Sequence, residues 1–209
     1  IKMVPQKPWK LDKTIKSKKH LGIEERIKWI RDSFNLVKSQ NKKIVDASAA
    51  IATANIERIF LNTEGFNLRE VFPRSRIILL ALAKEGRNIQ QDFYSVGKIM
   101  GDELTDQTNT EEVSDEICTN AVKLLKAEQA PSGEFDVILG GVMSGLVAHE
   151  SFGHGTEADQ VLRNRSFLKN YYGKKIAEDF VTIVDNGSVK DEFGSLSFDD
   201  EGIQPRRTA

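Results

Sequence analysis

Seven consecutive apolar residues, Ile77-Ile78-Leu79-Leu80-Ala81-Leu82-Ala83, constrain this chain more than any other stretch. The run is too short for a membrane span and follows Pro73, so it predicts a buried strand. A buried strand needs neighbours. Upstream, Val45, Ala47, Ala49 and Ile51 alternate with Asp46, Ser48 and Ala50, the period of a half-buried strand. Ile59-Phe60-Leu61 reads as a second one, ended by the turn Asn62-Thr63-Glu64-Gly65. Downstream, Glu85-Gly86-Arg87-Asn88 turns the chain into a further strand that runs to Tyr94. The sum is an antiparallel sheet of about four strands. Glu57, Arg58 and Arg87 read as its solvated far side.

Two helices are expected to cover this sheet. In residues 22–39, Ile23, Ile27, Ile30, Phe34 and Val37 recur at steps of three and four, with Glu24 and Glu25 in the first turn, where the helix dipole favours them. Thr108 and Glu111 have the spacing of a capping box. They open a helix over 110–127 with Val113, Ile117, Ala121, Leu124 and Leu125 on one face. Cys118 adjoins that face and reads as a buried structural thiol.

Composition excludes several classes. The 209 residues are 39% hydrophobic and 29% charged with a formal net charge of -1, which gives no global attraction to nucleic acid or to a membrane surface. The lone cysteine permits no intrachain disulfide and fits a reducing, cytoplasmic location. Residues 1–20 are rich in lysine, with two prolines. Without an aromatic platform or an arginine cluster they read as a linker rather than a basic arm for nucleic acid. The opening at Ile1 and the close on Pro205-Arg206-Arg207-Thr208-Ala209 lead us to expect an internal piece of a longer protein.

The chemistry concentrates in His149-Glu150-Ser151-Phe152-Gly153-His154-Gly155-Thr156-Glu157-Ala158-Asp159, which holds two of the three histidines. Two imidazoles with an adjacent glutamate are the donor set of a zinc hydrolase, the imidazoles for the ion and the carboxylate for a proton. The familiar zinc-peptidase spacing is i, i+4. Here it is i, i+5, which puts the two residues about 140° apart on a straight helix. Either Gly153 ends or distorts the helix, or a π-type bulge absorbs the extra residue. The bland alternative is a pair of histidines at a helix end, satisfied by backbone and water. Val142-Met143-Ser144-Gly145-Leu146-Val147-Ala148 runs into His149 and reads as a buried helix, and burying a His-Glu pair without a partner is costly. A metal ion would satisfy it. Glu157 and Asp159 are candidates to orient the imidazoles, or one of them to ligate directly, the alternative being a plain polar loop after the helix.

Glu134-Phe135-Asp136-Val137-Ile138-Leu139 and Val181-Thr182-Ile183-Val184 read as further strands, the latter ended by Asp185-Asn186-Gly187. Together with the His149–Asp159 run, Asp199-Asp200-Glu201-Gly202 and the Asn62–Gly65 turn, the stretch Thr182–Gly187 gives the chain a resemblance to the TldD/PmbA family of metallopeptidases. The i, i+5 spacing is that family's own pattern, and it marks the TldD-like subunits. The resemblance implies zinc held by His149 and His154, with Glu150 as the catalytic base. It implies a third ligand, a downstream cysteine, which Cys118 does not match. It also implies peptide or unfolded-protein substrates, and a homodimer or a heterodimer with a sister subunit that lacks the motif. The family's other description, modulator of DNA gyrase, goes with an alternative reading as a non-catalytic protein-interaction module. The expected fold class is α+β: an antiparallel sheet with covering helices, followed by the start of a second β-rich domain carrying a buried motif helix. The expected divisions are a linker over 1–20, a sheet domain over 21–105 and a motif-bearing segment over 106–209.

Overall fold

The computed structural model describes residues 7–209, so the first part of the expected linker lies outside the described residues. The apolar run lies within β3 (Asn67–Glu85), the centre of a four-stranded sheet. On one side β2 (Ile44–Leu61) pairs with it antiparallel from Ile44↔Ala83 to Leu61↔Asn67. On the other side two strands share the edge end to end. β1 (Lys10–Thr14) runs parallel to Asn67–Val71, and β4 (Asn88–Lys98) runs antiparallel to Ser75–Glu85.

Two expectations are corrected here. Residues 44–61 form one strand rather than two: the half-buried side passes from odd positions (Ala47, Ala49, Ile51, Thr53) to even ones (Ile56, Arg58, Phe60), and pairing with β3 continues through Asn55 without a turn. Residues 10–14, expected within the linker, form β1. The lysines hide a short alternation, in which Leu11 packs with Trp9 against a hydrophobic cluster and Lys10 and Asp12 face solvent.

Odd-numbered residues of β3 supply one face. Ile77, Leu79, Ala81 and Ala83 are fully buried there, under α1 (Ile23–Ser39) and α3 (Thr110–Leu124), which follows the short α2 (Leu104–Gln107). α1 opens as expected, with the Gly22 N–H donating to Glu25 Oε2 at 2.7 Å. α3 is capped one residue later than the sequence reading placed it. Asn109 accepts from the Glu112 N–H at 3.3 Å and donates from Nδ2 to the Glu112 carboxylate at 2.9 Å. Cys118 is buried, and its thiol donates to the Val37 carbonyl. Asp102, 1% exposed, ties the layers together. It accepts from the Leu21 N–H (2.8 Å), the Arg26 guanidinium (2.9 Å) and the Thr53 hydroxyl (3.0 Å), so the buried charge is fully partnered.

The even-numbered face is covered at one end by a strap, residues 186–206, which belongs to the same compact unit as the sheet. Phe198 enters a second cluster with Phe66 and Leu68, and Trp9 Nε1 donates to the Gly202 carbonyl at 2.8 Å. Arg58 fastens the strap. It donates to buried Glu70 (3.0 Å), the Phe198 carbonyl (2.7 Å) and Asp200 (3.1 Å), and its guanidinium lies 4.8 Å from the centre of the Phe198 ring. Arg58 is therefore half-buried and not part of a solvated face, because a strap remote in sequence covers it.

A second compact unit comprises Ala130–Asp185 and Arg207–Ala209. Residues 134–139 and 181–184 form no strand; the only strands after β4 among the described residues are the two-residue β5 (Asp185–Asn186) and β6 (Arg207–Thr208). The helix expected before the motif does form, as α4 (Gly141–Ala148), but none of its residues is buried and Val142 is 92% exposed. The apolar pattern reports an intrinsic preference for burial, and no described element covers these side chains. No described helix is long and apolar enough to cross a membrane.

Candidate metal centre

α4 does not end at His149. The chain continues into one turn of π-helix, His149–Gly153, closed by the His154 N–H donating to the His149 carbonyl. A π-turn spends one more residue per turn than an α-helix. It thereby absorbs the extra residue of the i, i+5 spacing. Gly153 itself keeps ordinary right-handed helical angles (φ -51°, ψ -59°), so of the two ways to reconcile the spacing the bulge is the one that operates. The result is that the imidazoles of His149 and His154 approach to 4.4 Å between ring centres, edge to face.

Glu150 completes the group. One donor atom from each of His149, Glu150 and His154 lies within 4.8 Å of the others. Nitrogens bound about 2.0–2.1 Å from a single zinc lie no more than about 4 Å apart, so the two imidazoles would need only to draw slightly closer to share an ion, with the Glu150 carboxylate beside it. The donor chemistry fits as well: imidazole nitrogens suit zinc.

The carboxylates around His154 have distinct positions. Its Nδ1 is 2.9 Å from Glu157 Oε1, and its Nε2 is 3.9 Å from Glu150 Oε2. Glu157 stands where an outer carboxylate would stand for a metal-binding imidazole: with the proton on Nδ1, the lone pair of Nε2 would face the His149–Glu150 side. Asp159 is not brought to the histidines; its nearest partners are Gln160 Nε2 (3.3 Å) and Arg163 (3.8 Å).

Gly155 sets the next turn. A Cβ there would lie 2.7 Å from Leu168 Cδ1 and 2.9 Å from its Cγ, so any other residue would displace the Leu168 side chain from this point, where the Ser166 hydroxyl donates to the Gly155 carbonyl. A recess of about 250 Å3 beside His154 is lined by Gln160, Arg165 and Phe167. All three candidate donors are exposed, which removes the burial argument made from the sequence. What supports a metal here is the convergence of the donors. The sequence reading passed over Gly155 as a contact point, although its place directly after the second histidine was visible.

Comparison with known proteins bears on this geometry. Residues 16–125 match the model described as PmbA/TldA metallopeptidase central domain, and residues 132–209 match PmbA/TldA metallopeptidase C-terminal domain. The chain belongs to the PmbA/TldD metallopeptidase family. Among relatives of this family member, a metalloprotease of Methanocaldococcus jannaschii is 32% identical over 188 residues, covering 90% of this chain and 41% of the relative. A metalloprotease of Methanothermobacter thermautotrophicus is 35% identical over 165 residues, covering 79% and 36% respectively. The chain thus spans about two fifths of the length of these relatives. Among solved structures, a candidate modulator of a DNA gyrase from Thermotoga maritima superposes with a TM-score of 0.74 at 18% identity, covering 98% of this chain and 46% of that one. TldE from Thermococcus kodakarensis gives 0.63 at 15% identity, over 98% and 46%. These two likenesses establish the PmbA/TldD fold, with its mixed sheet and helices.

Proposed function

We propose that this PmbA/TldD-family chain carries the ion-holding and proton-handling residues of a zinc-dependent peptidase that acts on peptides or unfolded proteins. The observation that carries the reading is the π-turn, which gathers His149, Glu150 and His154 to within 4.8 Å. The metalloprotease names of the relatives support it, one being a zinc metalloprotease TldD homolog of Saccharolobus solfataricus, 29% identical over 134 residues and covered over 29% of its length.

In this reading His149 and His154 hold the ion, and Glu157 fixes the tautomer of His154 through its 2.9 Å contact. When bound, zinc supplies Lewis acidity toward a peptide carbonyl and a water. Glu150 accepts the proton of the attacking water and delivers it to the leaving amine. Catalytic zinc commonly takes three protein ligands, and Cys118 is buried in the sheet unit. We place the third ligand in the parent protein outside these 209 residues, and we take the parent to be a homodimer or a heterodimer with a sister subunit.

The test is zinc content and affinity of this chain beside its longer parent. One zinc per parent chain is expected, lost by at least about a hundredfold in affinity in His149→Ala or His154→Ala. Glu150→Gln in the parent should keep the zinc and lose turnover of an unfolded protein such as reduced casein. Zinc binding unchanged in both histidine variants would sink the proposal. It would favour a second reading, a non-catalytic protein-interaction module, to which the exposure of all three donors and the gyrase-modulator description of the Thermotoga protein lend weight.

A further inference from the structure

Among the described residues, β1 forms an open edge of the sheet. The Trp9 carbonyl accepts from the Asn67 N–H at 3.2 Å, and the Ile15 N–H donates to the Val71 carbonyl at 2.7 Å, so the odd-numbered residues of β1 bond inward to β3. Main-chain groups alternate in direction along a strand. The N–H and C=O groups of Lys10, Asp12 and Thr14 therefore point outward, and no described residue pairs with them. Such a row is a template for another strand.

Beside this edge lies a cleft of about 630 Å3, on the face that carries Leu11, Lys13 and Ile15, walled opposite by Val189, Leu196 and Pro205 of the strap. Its walls are mostly apolar and its surroundings are positive. Lys13 and Lys190 stand on it, and Lys10, Lys16 and Lys18 flank the edge. Arg69 is shared by Asp12 (2.9 Å) and Glu57 (2.7 Å), Arg58 is shared by Glu70 (3.0 Å) and Asp200 (3.1 Å), and Asp191 also lines the cleft, so the positive character of the edge rests on its lysines. A row of lysines repels a second copy of the same edge and attracts an acidic strand.

We propose that the β1 edge and this cleft bind an extended peptide with alternating apolar residues and acidic flanks. Its main chain bonds to Lys10, Asp12 and Thr14, alternate apolar side chains enter the cleft beside Leu11 and Ile15, and the flanking carboxylates meet the lysines. The site involves no residue of the metal centre, so it stands or falls separately from the peptidase reading.

The probe is the fluorescein-labelled peptide Glu-Glu-Val-Thr-Val-Thr-Val-Glu-Glu, read by anisotropy on the 209-residue chain in the presence of EDTA. Two versions are N-methylated on opposite alternating sets of residues. One set should abolish binding and the other should leave it intact, because only one set of N–H groups faces β1. Thr14→Pro removes an outward N–H and keeps the inward bonds, and should weaken binding at least tenfold, as should Leu196→Glu. Equal binding of both methylated probes overturns the proposal, even if the variants fail to fold. So does equal binding of a probe with lysine flanks. A chain that is dimeric by light scattering and becomes monomeric in Thr14→Pro would also overturn it, by showing a second copy on the edge.

Discussion

At the scale of single residues, the contrast between Glu157 and Asp159 is the sharpest. Both follow the second histidine, and the sequence offers them as equivalent candidates to orient an imidazole. Only Glu157 reaches His154, at 2.9 Å, while Asp159 turns to Gln160 and Arg163. Glu157→Ala should weaken zinc binding about ten- to hundredfold, and Asp159→Ala should leave it unchanged; isothermal titration in the parent protein reads the difference. Cys118 makes a pH prediction. Burial pushes its thiol from 9.0 up to about 11, with the Asp115 carboxylate adding to the effect. The unfolded chain gives up this proton first, so stability from this residue is intact below about pH 9 and falls as the pH rises toward about 11, by about 3 kcal/mol over the window. Urea titrations at pH 8 and pH 10.5 should show the loss, and Cys118→Ala should remove that component.

At the scale of elements, legibility followed locality. α1 was readable because its apolar residues recur on one face and Glu25 closes its first turn through the Gly22 N–H. The Asn62–Gly65 turn was readable because the Asn62 side chain accepts from the Glu64 and Phe66 N–H groups, a contact contained within the motif. The π-turn was readable only as one of two options. The number of residues between His149 and His154 demands a distortion but does not say which residue absorbs it. The unburied state of α4 was not readable at all, since hydrophobicity states what a helix prefers to contact and not whether a partner is there. The strap was missed for a related reason: Arg58 and Phe198 meet across 140 residues, and no local pattern announces such a contact. Phe198 is 2% exposed, so Phe198→Ala should cost about 3–5 kcal/mol in the sheet unit. Gly202→Ala should also destabilise, because its φ of +78° disfavours a side chain and a Cβ would lie 2.6 Å from the Phe60 ring. Thermal melts of both variants, beside a conservative Phe198→Leu, check this.

At the scale of the whole molecule, chain order and spatial grouping disagree. The family's central domain is matched over 16–125 and its C-terminal domain over 132–209, yet residues 186–206 of the latter group with the sheet. The excursion Ala130–Asp185, which contains the motif, leaves the sheet unit and returns to it. A protease that nicks the chain within residues 130–140 should therefore leave two pieces that travel together on gel filtration and part only in denaturant, because Phe198, the Arg58 contacts and the Trp9–Gly202 bond still hold the strap. Pieces that separate under native conditions would show that these contacts do not suffice. The strap also has a consequence for inheritance. Gene fusion or exchange between relatives at the seam between the two domains would pair one lineage's Phe198 and Asp200 with another lineage's Arg58 and Phe66. Such hybrids would carry a mismatched second core, so the two domains are bound to diverge together, and a substitution at Phe66 is answerable to a residue more than a hundred positions away.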